Sequence, residues 1–370
     1  MDLNVERESV VQSLYFAQGV VERRNTVPIL ANVLIEARED SLLVTATNLE
    51  LGVRRRCSAT VSRQGAITLN ARKLYEIMRE IPGENVRVSV VGEGVVEIKG
   101  GRSRFRMVSL DAKEFPNLSF GGRVEGAIVR VTGTLLGGMI DRTIFSVSTD
   151  EMRFNLGGVL VEIVERGEVR MVGTDGHRLA VVSRAVAGAE PAHSIIVPRK
   201  GVVELRRLLE SAGDAEMDLI LSPKEVRLRD ESVELFVRAV EGEFPDYRQV
   251  IPKEVTSVLR LNRDEIFNAV RRVSLVASER SRGVKLQVEQ GKVEVSAGSS
   301  DLGEASEEIE GQYTGDPITI GFNSRYLLDV LSVHGEGETI EIGLTDAEGA
   351  GTIRSEEDQD YNYVLMPMRL

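Results

Sequence analysis

Tryptophan is absent from the sequence, and aromatic residues make up only 5% of it. Proteins that hold single-stranded nucleic acid stack its bases on aromatic side chains, so this composition argues against such a platform. Histidine occurs three times, as His177, His193 and His334, and never at an HxH or HExxH spacing. Because a metal site needs several converging ligands, we expect neither a metal nor a cofactor.

A single cysteine, Cys57, excludes an internal disulfide framework and is typical of the reducing cytoplasm. No apolar run approaches the roughly 20 residues of a membrane helix, and the start, MDLNVERESV, lacks the apolar core of a signal peptide. The GxSxG elbow of hydrolases and the GxxxxGKS or GxxxxGKT phosphate loop are also missing. We therefore expect a cytoplasmic protein without membrane contact.

What the chain does contain is ordinary in amount: 370 residues, 42% of them apolar and 28% charged. The net charge of -12 argues, taken as an average, against binding to nucleic acid. Net charge describes averaged fields and solubility, however, and not one local surface. The placement of the basic residues therefore decides the question.

The chain repeats itself three times. The segments VLIEAREDSLLVTATNLEL (33–51), VLVEIVERGEVRMVGTDGHRL (159–179) and VKLQVEQGKVEVSAGSSDL (284–302) each predict two alternating strands joined by a polar turn. Their first valines lie about 125 residues apart. One period over the whole chain indicates tandem copies of one structural unit.

A second block repeats at the same interval and predicts a strand followed by a helix: ITLNARKLYEIM (67–78), IIVPRKGVVELR (195–206) and IGFNSRYLLDVL (320–331). Asn70, Pro198 and Asn323 fall where a helix cap or first-turn proline belongs.

Each copy also opens with a helix-like stretch, clearest in LNRDEIFNAVRRVSLVA, where Asn262 and Glu265 resemble a capping box. We predict an α+β protein of three domains, each close to helix–strands–helix–strands with antiparallel sheets. The domains would span residues 1–124, 125–254 and 255–370.

Basic residues occupy one equivalent helix position in all three copies, as Arg72, Lys200 and Arg325. On one interpretation they are solvated residues of amphipathic helices. On the other, a row of helices presents a basic face to a polyanion and contacts phosphates, not bases. Three similar domains leave unlike ends, and a head-to-tail join of two chains would close a six-domain ring with these helices inside.

The join itself has candidate residues. The strand GRSRFRMVSL (101–110) carries arginines on one face and apolar residues on the other, and the third copy offers an apolar pair and an acidic run. These would form a complementary interface, unless they are two unrelated solvated faces. The candidates are Arg102, Arg104, Phe105, Met107, Leu275, Val276, Glu304, Glu307 and Glu308.

The stretch VGTDGHRLA (172–180) carries the densest polar chemistry. Asp175 and His177 are possible acid/base partners of a hydrolase, whereas Asp-Gly also marks a tight turn. The equivalent positions of the other copies read TNLE and GSSD, so Gly176, His177 and Arg178 are particular to the second copy. The terminal VLMPMRL is a methionine-rich edge of the kind that binds several peptides, or else a last strand completing a sheet.

Several motifs together resemble the bacterial sliding clamps, the beta subunits of DNA polymerase III holoenzyme. They are TDGHRLA (174–180), VPRKGV (197–202), EFPDYRQVIPK (243–253), IGFNSRYLLDVL and the terminal YVLMPMRL. The resemblance runs along the whole chain. It implies three tandem DNA-clamp domains per chain and a head-to-tail homodimeric ring that encircles and slides on double-stranded DNA, without catalysis.

The family's partners are the clamp loader complex, the DNA polymerase III alpha subunit and other proteins of replication and repair that carry a clamp-binding motif. Its partner-peptide pocket maps onto Leu156, Thr174, Gly176, His177, Arg178, Leu179, Pro245, Val250, Asn323, Tyr326, Val364, Leu365, Met366, Pro367, Met368, Arg369 and Leu370. Its DNA contacts map onto Arg24, Arg72, Lys73, Arg153, Arg199 and Lys200. The chain departs from the pattern at the pocket rim, with Gln249 where an arginine often occurs and Ser281 where an aromatic can stand.

Overall fold

The computed structural model describes residues 1–22, 27–118, 120–121, 126–164, 167–187 and 193–369. Two predicted site residues, Arg24 and Leu370, lie outside these ranges, as does the predicted domain boundary at 124/125. None of the helices among the described residues combines the length and apolarity needed to span a bilayer.

One order of elements occurs three times along the chain: a strand, a helix, four strands, a helix and three strands. The first set is β1 (Asp2–Glu6), α1 (Arg7–Val20), β2 (Asn32–Arg38), β3 (Ser41–Thr47), β4 (Leu51–Arg63), β5 (Gly65–Asn70), α2 (Ala71–Glu80), β6 (Asn85–Gly92), β7 (Val95–Gly100) and β8 (Ser103–Val108). The second set is β9 (Ala127–Thr132), α3 (Gly133–Asp141), β10 (Gly158–Val164), β11 (Glu168–Thr174), β12 (Arg178–Ala185), β13 (His193–Pro198), α4 (Arg199–Ala212), β14 (Glu216–Leu221), β15 (Glu225–Arg229) and β16 (Val233–Arg238). The third is β17 (Ser257–Asn262), α5 (Arg263–Val273), β18 (Gly283–Glu289), β19 (Gly291–Ser299), β20 (Gly303–Thr314), β21 (Ile318–Asn323), α6 (Ser324–Ser332), β22 (Thr339–Leu344), β23 (Gly351–Ser355) and β24 (Tyr361–Leu365).

The predicted α+β class and the two helices per repeat are confirmed. The predicted order lacked one element, because a short strand precedes each opening helix. In the third repeat this strand includes Leu261 and Asn262, the first two residues of the predicted helix-like stretch, and Asn262 is also the N-cap of α5. The sequence pattern that indicates this strand of six residues is the alternation of apolar and polar residues in SVLRLN.

The chain divides into two compact units, one of Met1–Gly137 with Val186–Ala239 and the other of Gly138–Ala185 with Val240–Leu370. In the first unit the sheet runs β8-β7-β6-β1-β4-β16-β15-β14-β9, and β2, β3 and β5 attach through β4. Helices α2 and α4 both pack on α1. The core between helices and sheet is aliphatic, with Leu3, Leu14 and Leu74 wholly buried.

In the second unit the strand order is β10-β11-β12-β24-β23-β22-β17-β20-β19-β18-β21, and α5 packs against α6. Its largest fully buried side chains are Tyr361, Tyr363 and Phe322. The predicted boundaries at 124 and 254 describe the sequence repeat and stay a prediction.

The repeats are joined by strand pairing. Strand β4 pairs with β16 in the first unit, with Val53 opposite Leu235. Strand β12 pairs with β24 in the second, with Leu179 opposite Val364. Both junctions are antiparallel and both join the fourth strand of one repeat to the last strand of the next.

The helix starts agree with the predicted caps. The Asn70 side chain accepts a hydrogen bond from the Lys73 backbone N–H at 3.0 Å, and the Asn323 side chain accepts one from that of Arg325, also at 3.0 Å. Asn262 accepts from the N–H groups of Asp264 and Glu265. Each cap satisfies N–H groups that have no partner within the helix.

Replacing Asn262 with alanine removes the acceptor of two backbone N–H groups, so it should cost about 1 kcal/mol. We expect the midpoint of thermal unfolding to fall by about 2–4 °C. Asn262→Asp keeps an acceptor at this position and should unfold near the wild-type temperature. Calorimetry of the three proteins checks this, and an unchanged midpoint in Asn262→Ala would show that the cap contributes nothing.

Candidate functional site

The turn between β11 and β12 is built by its own polar side chains. Thr174 Oγ1 donates to the Arg178 carbonyl at 2.6 Å and accepts from the Gly176 N–H at 3.1 Å. Asp175 Oδ1 accepts from the N–H groups of His177 (2.9 Å) and Arg178 (3.1 Å). Gly176 has φ +89°, a conformation that glycine adopts without strain.

The first repeat contains the same turn. Thr47 Oγ1 donates to the Leu51 carbonyl at 2.7 Å, and Asn48 Oδ1 accepts from the Leu51 N–H at 2.7 Å. Leu49 takes the place of Gly176, at φ +77°. Gly176, His177 and Arg178 are therefore substitutions on a turn of unchanged length.

Arg178 is an internal cross-link of the second unit. Its guanidinium bonds Asp175 at 3.0 Å and Asp329 of α6 at 2.6 Å, and it also donates to the Phe145 carbonyl. Its central carbon lies 4.2 Å from the centre of the Tyr326 ring. Because Arg178 is only 7% exposed, these contacts hold the turn against α6.

Asp175 is committed to structure, since both of its oxygens accept hydrogen bonds from the turn and from Arg178. His177, by contrast, has an exposed side chain. Asp175 therefore serves the turn, and among the described residues no hydrogen bond joins its carboxylate to the His177 ring. Among the described residues no cluster of His, Cys, Asp and Glu could hold a metal ion.

An apolar cavity of about 140 Å³ opens beside the turn. The structure brings ten of the predicted pocket residues to its wall: Leu156, Thr174, Gly176, His177, Arg178, Leu179, Pro245, Val250, Val364 and Met366. The Met366 N–H donates to the His177 carbonyl at 3.0 Å, so the tail continues the pairing of β24 with β12.

Two further residues of the wall, Asp246 and Tyr247, were not predicted, although both lie within the motif EFPDYRQVIPK. Asp246 accepts from the side chain of Gln249 at 3.0 Å, which places the rim residue Gln249 against the wall. The Tyr247 hydroxyl donates to Glu162 at 2.7 Å, and burial raises the pKa of this phenol. The hydrogen bond to Glu162 of β10 thus holds Tyr247 in the pocket wall.

The other predicted pocket residues that the structure describes lie around the cavity and do not line it. Asn323 caps α6, Tyr326 stacks on Arg178, and Leu365 is buried opposite Arg178 in the strand pair. Pro367 and Met368 belong to the tail, and the Met368 N–H donates to the Gly321 carbonyl at 2.8 Å. Arg369 and Ser281 border a separate polar concavity over β18, β19 and β20.

Four of the predicted DNA contacts lie at helix starts. Arg72 and Lys73 are exposed in the first turn of α2, and Arg199 and Lys200 in that of α4. Arg153 lies elsewhere, beside the pocket turn, where it donates to the Asp175 carbonyl at 3.2 Å. Each of these helix starts is the positive end of its own helix dipole, which favours the binding of anions.

The predicted interface residues lie on exposed strand edges and turns. Phe105 and Met107 are half-buried on β8, and Leu275 is 77% exposed. Arg104 pairs with Glu97 at 3.5 Å, while Glu307 pairs with Arg272. Glu308 pairs with Lys292 at 2.6 Å. Arg102 precedes β8, Val276 follows Leu275, and Glu304 is exposed on β20.

Comparison with solved structures identifies the architecture. The DNA polymerase III subunit beta from Pseudomonas aeruginosa superposes with a TM-score of 0.94 at 34% identity, and both chains are covered completely. A DNA polymerase sliding clamp from Caulobacter crescentus gives 0.92 at 39% identity, again over all of both chains. The fold is that of the clamp proteins.

The sequence comparisons agree. Family models for the DNA polymerase III beta subunit match its N-terminal domain to residues 1–119, its central domain to 130–246 and its C-terminal domain to 248–369. The beta sliding clamp of Caulobacter vibrioides is 40% identical over 376 residues and that of Escherichia coli 36% over 373, with both chains fully covered in each case. The chain therefore belongs to the family of DNA polymerase III beta subunits, the beta sliding clamps, which are processivity factors of DNA replication.

The two neighbours Arg178 and His177 should differ sharply in their effect on stability. Arg178→Ala leaves the carboxylates of Asp175 and Asp329 without their buried donor, so we expect a loss of about 3–5 kcal/mol. His177→Ala removes an exposed ring and should leave the free energy of unfolding unchanged.

Chemical denaturation of both variants, with Arg178→Lys as an intermediate case, measures the difference. Lysine keeps the charge but lacks the planar fork that reaches several acceptors. Equal stability of Arg178→Ala and the wild type would contradict the structural role of Arg178.

Proposed function

We propose that two copies of this chain close into a ring around double-stranded DNA, slide along it without reading sequence, and tether the replicative polymerase. The observation that carries this proposal is the repeated junction between fourth and last strands. The junctions β4–β16 and β12–β24 leave two such strands over, β20 of the third repeat and β8 of the first.

Both strands have unpaired edges among the described residues. Among the described strands, β8 pairs with β7 alone and ends the sheet of the first unit. Strand β20 pairs with β19 along Gly303–Gly311, while β17 contacts only its last residues, 312–314. Exposed edges invite pairing with another chain. Pairing β8 of one chain with β20 of its partner forms the same junction twice more and closes six domains.

The interface chemistry fits this pairing, although four of its charged side chains are already paired within each chain. Phe105 and Met107 on β8 and the exposed Leu275 supply an apolar centre. The arginines Arg104 and Arg106 share Glu97, and the acids Glu307 and Glu308 hold Arg272 and Lys292. The apolar contact and the backbone hydrogen bonds therefore contribute the affinity, and the charges select the partner edge.

The DNA contacts are made to phosphates. Arg72, Lys73, Arg199 and Lys200 combine side-chain charge with helix N-termini, and this combination recognises phosphate without reading bases. Arg24 and Arg153 join them by family resemblance. Contacts of this kind are salt-dependent and exchangeable, so ring closure, not affinity, retains the protein on DNA.

The cavity beside the Gly176 turn takes the peptide of a partner protein. Its volume of about 140 Å³ is close to the roughly 150 Å³ that holds a benzene ring, so it accommodates one large apolar side chain. Peptides of the polymerase III alpha subunit, the clamp loader and other clamp-binding proteins would compete for it. The chain itself performs no catalysis, takes no cofactor or metal, and works in the cytoplasm.

On this proposal, protein loaded onto DNA by a clamp loader should leave linear DNA within minutes and remain on the same DNA when both ends are blocked. Light scattering should give a mass near twice 40.7 kDa. Phe105→Asp places a charge in the apolar centre of the join, so it should yield monomers and abolish retention. Equal release of the wild type from linear and end-blocked DNA would exclude a topological ring.

Removing Met366 to Leu370, or replacing His177 with alanine, should weaken binding of the polymerase alpha subunit by about tenfold or more, which is at least 1.4 kcal/mol. Val91→Ala changes an exposed aliphatic residue outside the cavity wall and serves as the control. Surface plasmon resonance measures affinity while light scattering checks the dimer. A truncated protein that loses the dimer would show that the tail is structural, not a binding element.

A further inference from the structure

The three basic residues at equivalent helix positions share an acidic residue four positions later. Arg72 is followed by Glu76, Lys200 by Glu204 and Arg325 by Asp329. On a helix this spacing brings the two side chains together. The structure uses the three acids in three different ways.

In the first repeat the acid holds the cations of its own helix. Glu76 accepts from Arg72 Nε at 3.1 Å and from Lys73 Nζ at 2.7 Å, one with each oxygen. The hydrogen bond from Lys73, with a smaller contribution from that of Arg72, lowers the pKa of Glu76. The carboxylate is therefore charged at neutral pH and occupies both candidate phosphate contacts of α2.

In the second repeat the equivalent acid is used elsewhere, and a different carboxylate replaces it. Glu204 is 7% exposed, bonds Arg207 at 3.0 Å and packs against Gly19 of α1. Lys200 Nζ is held instead by Glu22 Oε1 at 3.0 Å. The same oxygen accepts from the Asn48 side chain at 3.1 Å, which fixes Glu22 in front of Lys200.

In the third repeat the acid serves the pocket. Asp329 bonds Arg178 at 2.6 Å and is thereby turned away from its own helix start. Arg325 is exposed in the first turn of α6, and the structure records no ion pair for it within the described part of the chain. Of the three equivalent cations, Arg325 is thus the one that pairs with no carboxylate among the described residues.

We propose that Glu22 and Glu76 compete with DNA phosphates for Lys200, Arg72 and Lys73, and that this competition keeps the grip on DNA weak enough for sliding. The inference rests on the proposed DNA-binding role of these cations. A phosphate that approaches Lys73 or Lys200 must displace a carboxylate already bound there, whereas a phosphate at Arg325 displaces no carboxylate of the described residues. All three helix starts carry a cation, but they hold DNA with unequal strength.

The consequence is measurable with charge-neutral, near-isosteric variants. Exposed ion pairs contribute little each, so Glu76→Gln and Glu22→Gln should each tighten binding by about two- to fivefold. Glu80→Gln and Glu210→Gln change the net charge equally. They lie at exposed positions further along α2 and α4, the helices that carry Lys73 and Lys200. They are the matched controls and should leave affinity unchanged within error.

The experiment is fluorescence anisotropy of the full-length protein with a short linear DNA duplex of arbitrary sequence at low ionic strength. Lys73→Gln and Lys200→Gln should weaken binding, and Glu76→Gln should bring no gain once Arg72 and Lys73 are both glutamine. Arg325→Gln should weaken binding more than Arg72→Gln, because no carboxylate offsets the contact of Arg325.

The outcomes separate the inference from the function beneath it. If Lys73→Gln and Lys200→Gln leave binding unchanged, the proposed DNA surface is wrong, and the competition with it. If they weaken binding while Glu76→Gln matches Glu80→Gln, DNA binding stands and the competition is overturned. Equal losses in Arg325→Gln and Arg72→Gln would likewise contradict it.

Discussion

Backbone pairing between the fourth strand of one repeat and the last strand of the next is the constraint on which this structure depends. It joins β4 to β16 and β12 to β24, so each repeat is continued by the next through a shared sheet. The pocket is a product of the second junction. Its wall combines the turn before β12 with the end of β24, and a slip of one residue would turn Leu179 and Val364 out of the core.

The same constraint accounts for the proposed assembly. A chain of three repeats joined in this way leaves one fourth strand, β20, and one last strand, β8, outside any junction among the described residues, and two chains can join these strands to each other. No separate dimerisation surface is then needed, because the interface repeats a contact already present twice inside the chain. The apolar residues Phe105 and Met107 of β8 add side-chain contacts to the backbone hydrogen bonds that this edge can form.

The electrostatics illustrate why net charge was a poor guide. A chain of net charge -12 presents cations at three helix starts, and acids lie beside two of them. Two of the acids, Glu22 and Glu76, therefore belong to the candidate DNA surface itself. A sliding protein benefits from such a balance, since tight phosphate contacts would immobilise it.

Periodicity predicted the repeats, the strand pairs and the helix caps, because these depend on residues close in sequence. The motifs of the family pointed to ten residues that line one cavity. What sequence did not reveal depends on tertiary distance. Arg178 and Asp329 are 151 residues apart, and Glu22 and Lys200 are 178 apart, so neither pairing has a local pattern.

The short opening strands do have a local pattern, but this pattern is too brief to be recognised. With five or six residues each, they offer too few alternations to stand out beside the helices that follow. Comparison of the copies showed that Gly176, His177 and Arg178 are particular to the second repeat, but it could not show that Arg178 ties the turn to α6. In the structure Arg178 is only 7% exposed, and its guanidinium bonds both Asp175 and Asp329.

The pocket wall has a further consequence for inhibition. Thr174 closes the turn, Arg178 ties it to α6, and Leu179 and Val364 belong to the strand pairing, so these residues build the fold as well as the cavity. An antibacterial compound that fills the cavity would mainly contact residues whose substitution destabilises the fold. Escape substitutions would then fall on the exposed members of the wall, which are Gly176, His177, Pro245, Asp246, Val250 and Met366. On the proposed function, these positions also meet the partner peptide. A substitution that confers resistance would therefore also weaken the binding of the partner proteins that replication needs.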